Sequence, residues 1–350
     1  MPLRQNAALV LGCLPWICRF GRRRMVLMRV NDFHPAGFDT ELRKVLDDVR
    51  AGRWRSMRGL LNAPQSSAQR TARSQVLASA AAQCDAVEAW GRESRDHQYR
   101  IMWARVLVQR ALHVSRRSQR AEAVRLVEAA RRACDLAATL VPHDPVPWVA
   151  WLALAQIDSP NLWERYPENQ ERCWEPGMPP GPWGLLREVE RRDPYNREAW
   201  HRVLQAQFAY QSNVDKIVDF GRWASLAAPA GSAVNLLYLY THVERFRRRK
   251  NQEETPRVHW RHSGFSVYTL RAVEEWFHQA DTTSWSPLDL NHLAQALHHG
   301  GYPAREVFEA IGSCVTRTPW QDVAPDGRSW QEEFLQARLL RLRESGPPRT

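Results

Sequence analysis

One local pattern constrains this chain more than any other: a proline corner followed, six residues later, by a large side chain early in the next helical segment. In "VPHDPVPWVAWL" Pro142 precedes Trp148 by six positions, and in "RDPYNREAWHRVL" Pro194 precedes Trp200 by six. In "LAAPAGSAVNLL" Pro229 precedes Asn235 by the same six, with Leu236 and Leu237 next. The corners lie 52 and then 35 residues apart, so the unit recurs irregularly. Proline cannot continue the helix before it, and an aromatic one turn into the next helix can pack back between the pair. A pair of helices cannot bury its apolar faces alone, so such units stack.

Between the corners the periodicity is helical, and no convincing alternating strand run appears. "DTELRKVLDDVRAGRW" (39–54) places Leu42, Val45, Leu46 and Val49 on one stripe after a capping Asp39, with Gly52 near its end. Further helices are expected at about 69–93, 97–116 and 119–141. The last of them sets Ala123, Val127, Ala130, Cys134 and Ala137 on one face, small enough for a neighbouring helix to come close.

These residues resemble the tetratricopeptide repeat (TPR), whose units of about 34 residues share the proline corner and the following aromatic. "SPLDLNHLAQALHHGGYPAREVFEAIG" (286–312) resembles it best in its interior: Leu293 and Ala294 in a first helix, Gly300 and Gly301 at the turn, Ala304, Phe308 and Ile311 in a second. It departs from the family in being shortened at that turn. The resemblance covers residues 97–245 and 286–316. From "RAGRWRSMRGLL" to "VFEAIGSCVTRTPW" the chain is also similar to a group of TPR-like proteins of GC-rich bacteria, a resemblance that implies no activity. Together these imply an all-α, TPR-like α-solenoid of antiparallel helical hairpins over residues 32–350. "SWQEEFLQARLLRLR" (329–343) would close it as a capping helix, with Ser329 and Glu332 forming a capping box.

The formal charge of +11 invites a nucleic-acid reading, but +6 of it lies in residues 1–30, which contain six arginines and no acid. The remainder is only mildly basic. Residues 1–31 are read as a basic extension, either disordered or preceding the true start at Met25 or Met28; a membrane-surface arm is the third reading. The apolar run 7–18 is broken by Pro15, is too short to span a bilayer, and carries its basic residues on the side that opposes export. The six cysteines form no CxxC pair and no dense framework, which suits free thiols in a reducing, cytoplasmic compartment.

If the repeat alignment holds, groove-facing places fall at Glu198, His201, Gln205 and Phe208 in one unit and at Tyr240, Val243 and Glu244 in the next. That mixed aromatic and polar strip could hold a peptide or helix, or could pack against neighbouring loops. The stretch 157–184 carries Trp163, Tyr166, Trp174 and Trp183 among six prolines. It reads either as an ordered lid contributing to the groove or as a staple between adjacent helix pairs. A basic patch follows: Arg245, Arg247, Arg248, Arg249, Arg257, Trp260 and Arg261, which could contact phosphates and stack a base, or could be a solvated helix end.

No phosphate-binding glycine loop, GxSxG elbow or HExxH helix is present, and Glu274 and Glu275 are adjacent on a helix and point apart. His259 with His262, and His292 with His299, have no Cys or acid partner at ligand spacing, so neither metal nor cofactor is expected. The sequence therefore points to a non-catalytic scaffold for an unidentified protein or peptide. A nucleic-acid-associated protein using 245–261 is the alternative, and an enzyme without a recognisable motif the second.

Overall fold

The computed structural model describes residues 34–116, 120–157, 165–249, 256–261 and 263–343, which all fall within one compact unit. Among them there is no β-strand; a single antiparallel bridge joins Glu171 and Gly181. The protein is all-helical. Helices α1 (Thr40–Arg50), α2 (Arg55–Asn62), α3 (Ser67–Ala81) and α4 (Ala86–Glu93) open it. The long pair α5 (His97–Ser115) and α6 (Arg120–Leu140) follows, then α7 (Val146–Leu152), α8 (Trp183–Glu190), α9 (Arg197–Tyr210), α10 (Val214–Ala227) and α11 (Leu237–Arg249). The last part holds α12 (Pro256–Arg261), α13 (Ser263–Ala272), α14 (Pro287–Gly300), α15 (Arg305–Ile311), α16 (Trp320–Val323) and α17 (Trp330–Arg343).

Local rules account for most boundaries. Asp39 caps α1 by accepting from the Leu42 amide at 2.9 Å, and it also takes the Arg73 guanidinium at 2.7 Å, so one carboxylate starts α1 and ties α3 to it. Leu42, Leu46 and Val49 are buried, and the helix ends before Gly52, whose φ of +78° places it in the left-handed region. Trp54 starts α2 instead of ending α1. The continuous helix expected over 69–93 is two, because residues 82–85 form a turn between α3 and α4. There Cys84 lays its thiol 3.1 Å from the Val49 carbonyl.

The small face of α6 is buried as its composition requires: Ala130, Cys134 and Ala137 are fully enclosed and Ala123 and Val127 nearly so, with α5 against them. The corners behave as three variants of one device. At the first, Trp148 stacks on Trp151 and carries the Arg192 guanidinium 5.0 Å above its ring. At the second, Trp200 is buried, donates its indole N–H to Glu190 at 2.7 Å and stacks between Tyr195 and Phe220. At the third, Asn235 replaces the ring and donates back to the Pro229 carbonyl at 2.8 Å, so a polar side chain closes the corner. Gly301 ends α14 at φ +84°, and the reciprocal Ser329 and Glu332 bonds start α17.

Contacts also join helices far apart in the chain. Asn196 donates to the Thr71 hydroxyl, and Gly37, at φ +54°, lies so near Pro287 that an added side chain would come within 2.9 Å of its ring. The start of the described chain therefore rests against the start of α14.

Candidate functional site

Helix α9 is where charge is concentrated inside the protein. Its positions 197, 198, 201, 202 and 205 lie on one side of the helix, because residues one helical turn apart are neighbours. Two networks grow from them. In the first, Arg105 on α5 makes a bidentate pair with Glu198, at 2.7 and 2.9 Å, and Arg202 reaches the same carboxylate at 3.0 Å. Arg202 then donates to Gln205 at 3.0 Å. All three charged groups are buried, one carboxylate between two guanidiniums. Burial opposes ionisation of Glu198, yet Arg105 and Arg202 outweigh it and hold the carboxyl below its ordinary range.

In the second network Asp289, on α14 and without solvent contact, takes a bidentate pair from Arg197 at 2.5 and 2.7 Å and the Tyr240 hydroxyl at 2.5 Å. His201 stands edge-on to the Tyr240 ring at 4.6 Å, and His292 stacks on the same ring at 3.6 Å. His292 is oriented by the Leu288 carbonyl, 2.9 Å from its Nδ1. Burial, then the nearby Arg197, lowers His201 to about 3, and burial lowers His292 to about 4. Both rings are neutral at physiological pH. Asp289 stays below the usual carboxylate range because Arg197 overcomes the cost of its burial, whereas burial and Asp289 push the Tyr240 phenol well up.

The seven predicted groove residues thus come together on α9 and α11, but mostly facing inward. Glu198, Tyr240, Val243 and Glu244 are buried; His201, Gln205 and Phe208 are half-buried. Glu244 takes Arg247 at 2.7 Å and Arg248 at 2.6 Å, and Arg248 also donates to the Phe208 and Gln211 carbonyls, each at 2.8 Å, where α9 ends. The strip is filled by its own pairings.

The basic patch is likewise engaged. Arg247 and Arg248 are held by Glu244, while Arg245 and Arg249 lie 3.8 and 3.4 Å from Asp215. Trp260, expected as a stacking platform for a base, has no exposed surface: it is packed among Phe246, His259, Phe265 and His299. Its neighbour Arg261 is exposed. The Arg257 side chain lies outside the described residues, as does Trp163.

The stretch after 165 is fastened at both ends. Tyr166 lies under the Arg131 guanidinium, 3.8 Å from its ring centre, and Glu168 pairs with the same arginine. Glu171 takes Arg187 at 2.7 Å, and its carboxylate fills the space beside Gly184. Trp183 is buried and donates to the Pro179 carbonyl at 3.0 Å. Trp174 lies 5.6 Å from Trp183 and 5.9 Å from Trp223, which in turn packs on Phe220 and Trp200. At the top of this stack Trp174 remains 46% exposed. Trp223 was not singled out from the sequence; its i, i+3 spacing from Phe220 on α10 was the available signal.

No family model matches the chain, and no curated protein or solved structure does. Among the described residues, no helix is long and apolar enough to cross a membrane.

Proposed function

We propose that the protein is a TPR-like helical scaffold that binds a segment of a partner protein, and that the contact is made on the aromatic face of the 165–184 stretch and α10. The observation that carries this is Trp174: a large, rigid ring held by Trp183 and Trp223 from below and left half in solvent. Binding hot spots are enriched in Trp, Tyr and Arg because such side chains bury much area at little entropic cost. Leu226, one turn beyond Trp223 on α10, is exposed as well, and the exposed guanidiniums of Arg187 and Arg222 are each already paired with an acid. An anchor residue that is aromatic or branched aliphatic, flanked by polar positions, fits this face.

The charged strip between α9 and α11 supports this location by its internal pairing, since a peptide entering there would have to displace buried ion pairs. The acid partners of Arg245, Arg247, Arg248 and Arg249 weigh against a phosphate-binding role for that patch. The described cysteines Cys84, Cys134, Cys173 and Cys314 are free, which suits the reducing cytoplasm.

The test compares partners captured by the wild type with those captured by Trp174→Ala and by Arg247→Glu, at low and high salt with nuclease present. Trp174→Ala should weaken the contact by about 2 kcal/mol or more with little change in melting temperature, and Arg247→Glu should leave it intact. Equal capture by wild type and Trp174→Ala would sink the proposal.

A further inference from the structure

We infer that the outer face of α17 pairs with the same face of a second copy of this chain, the two helices lying antiparallel about a two-fold axis. A capping helix of the kind expected at 329–343 carries a polar outer face. This helix is partly inverted. Glu333 is buried and takes Arg328 at 2.7 Å, while Arg338 and Arg341 turn back to the carbonyls of Gly312 and His298, at 2.8 and 2.7 Å. Leu339 and Leu340, between those two arginines in the chain, are 43% and 41% exposed. Phe334 and Ala337 are buried on the protein side, so apolar residues occupy both sides of one helix. Helices with apolar residues on more than one side are normally covered on more than one, and the leucine side has no full cover among the described residues.

Spacing and charge say what covers it. Residues three and four apart share a helix face, so Glu332, Leu335, Gln336, Leu339, Leu340 and Arg343 form one stripe. Leu335 is half-buried at its margin and the other five are exposed. The stripe has an acid at its amino end, an arginine at its carboxyl end and leucines between. In an antiparallel pair centred between positions 337 and 338, Glu332 faces Arg343 of the second copy and Gln336 faces Leu339 of the second copy. Opposite charges then meet at both ends of the contact, while Leu335 and Leu340 line its two edges. A parallel pair would set Glu332 beside Glu332 and Arg343 beside Arg343.

Both charges are available for this pairing. Glu332 spends its Oε2 on the Ser329 amide and hydroxyl, each at 2.9 Å, which leaves Oε1 for another donor. Arg343 has no acidic partner among the described residues. A contact in which the same patch serves both chains about a two-fold axis is the commonest form of assembly in soluble proteins. The 14 residues of α17 extend about 21 Å. A single helix pair of that length buries less than the roughly 1,200 Å² of a standard interface, so the dimer should be weak and concentration-dependent.

Sedimentation of the full chain over a range of about 1 to 200 µM should show a monomer passing into a dimer. Leu339→Asp together with Leu340→Asp should raise the dissociation constant about tenfold or more. Arg343→Glu places like charges together at both ends and should raise it about threefold or more, and adding Glu332→Arg to that variant should restore association. Melting temperatures of dilute samples check that each variant folds, and Arg343→Glu decides the matter if the leucine variant does not. A monomer at every concentration would overturn the pairing and leave the face to a different protein or a lipid surface. A dimer unmoved by the leucine changes would place the contact elsewhere, and one unmoved by Arg343→Glu would overturn the antiparallel arrangement.

Discussion

Helix α6 meets α5 through Ala130, Cys134 and Ala137, whereas α9 meets α5 and α14 through Arg105, Glu198, Arg197 and Asp289. Both seams are buried, and both join helices of ordinary length. The first is non-directional: small apolar groups gain from exclusion of water in almost any register. The second is satisfied only when each guanidinium meets its carboxylate in a planar, two-bond geometry. The apolar seam joins helices adjacent in the chain, which a short connection already holds together. The ionic seam joins helices about 90 residues apart, where the connection imposes no register and the side chains must do so. Specification of partner and register is our hypothesis for why buried charge is kept at α9.

Breaking the ionic seam should have the largest effect. Glu198→Ala leaves Arg105 and Arg202 facing each other without a counter-charge in a buried site. A loss of about 3–5 kcal/mol is expected, read as a lowered urea midpoint with an unchanged slope. If register is what the pairs provide, replacing Arg105, Glu198 and Arg202 together with apolar residues of similar volume should restore most of the stability but loosen the position of α9. A triple variant with native protection of the α9 amides from hydrogen exchange would refute the register hypothesis while leaving the energetics intact.

The same seam should be sensitive to acid in a defined window. His201 and His292 remain neutral in the folded protein down to about 3 and 4, while in the unfolded chain they protonate near 6.5. Between those limits the unfolded state binds more protons, so stability falls as pH falls from about 6.5 towards 4. Asp289 and Glu198, both below their ordinary range, add their loss at still lower pH. Glu190 and Asp193 run in the opposite sense, because burial raises both carboxyls. The difference between wild type and a His201→Gln, His292→Gln variant isolates the histidines. The variant should lose less stability across the window, and parallel curves would show that the two rings do not titrate there.

The apolar seam was legible in the sequence and the ionic one was not, for a physical reason. A helical stripe is a local pattern: Ala123, Val127, Ala130, Cys134 and Ala137 declare their common face by spacing alone. The corners at Pro142, Pro194 and Pro229 are equally local, as are the Asp39 cap and the Ser329 and Glu332 box. The repeat alignment marks Glu198 and His201 as groove-facing places, but their partners Arg105 and Asp289 sit on distant elements that no spacing connects. Trp260 looked like an exposed ring beside arginines because sequence gives proximity along the chain and not the direction of burial. The contact of His299 with Glu333, 34 residues further on, was hidden in the same way.

The smallest effect should come from the apolar seam itself. Cys134 is fully buried, and burial pushes its thiol up to about 12, so it behaves as a small apolar group. Cys134→Ala removes one sulfur and leaves a gap that α5 and α6 can partly close, at a cost of about 0.5–1.5 kcal/mol by analogy with other single-group deletions. The acid dependence should be that of the wild type, since no charge has moved. Cys134→Ser keeps the size but buries a hydroxyl, which can be satisfied by a carbonyl one turn back on its own helix. Its cost should therefore lie near that of alanine. A loss as large as that of Glu198→Ala in either variant would mean that the small face of α6 is as exacting as the ionic seam, and the contrast between directional and non-directional packing would no longer explain why charge is buried at α9.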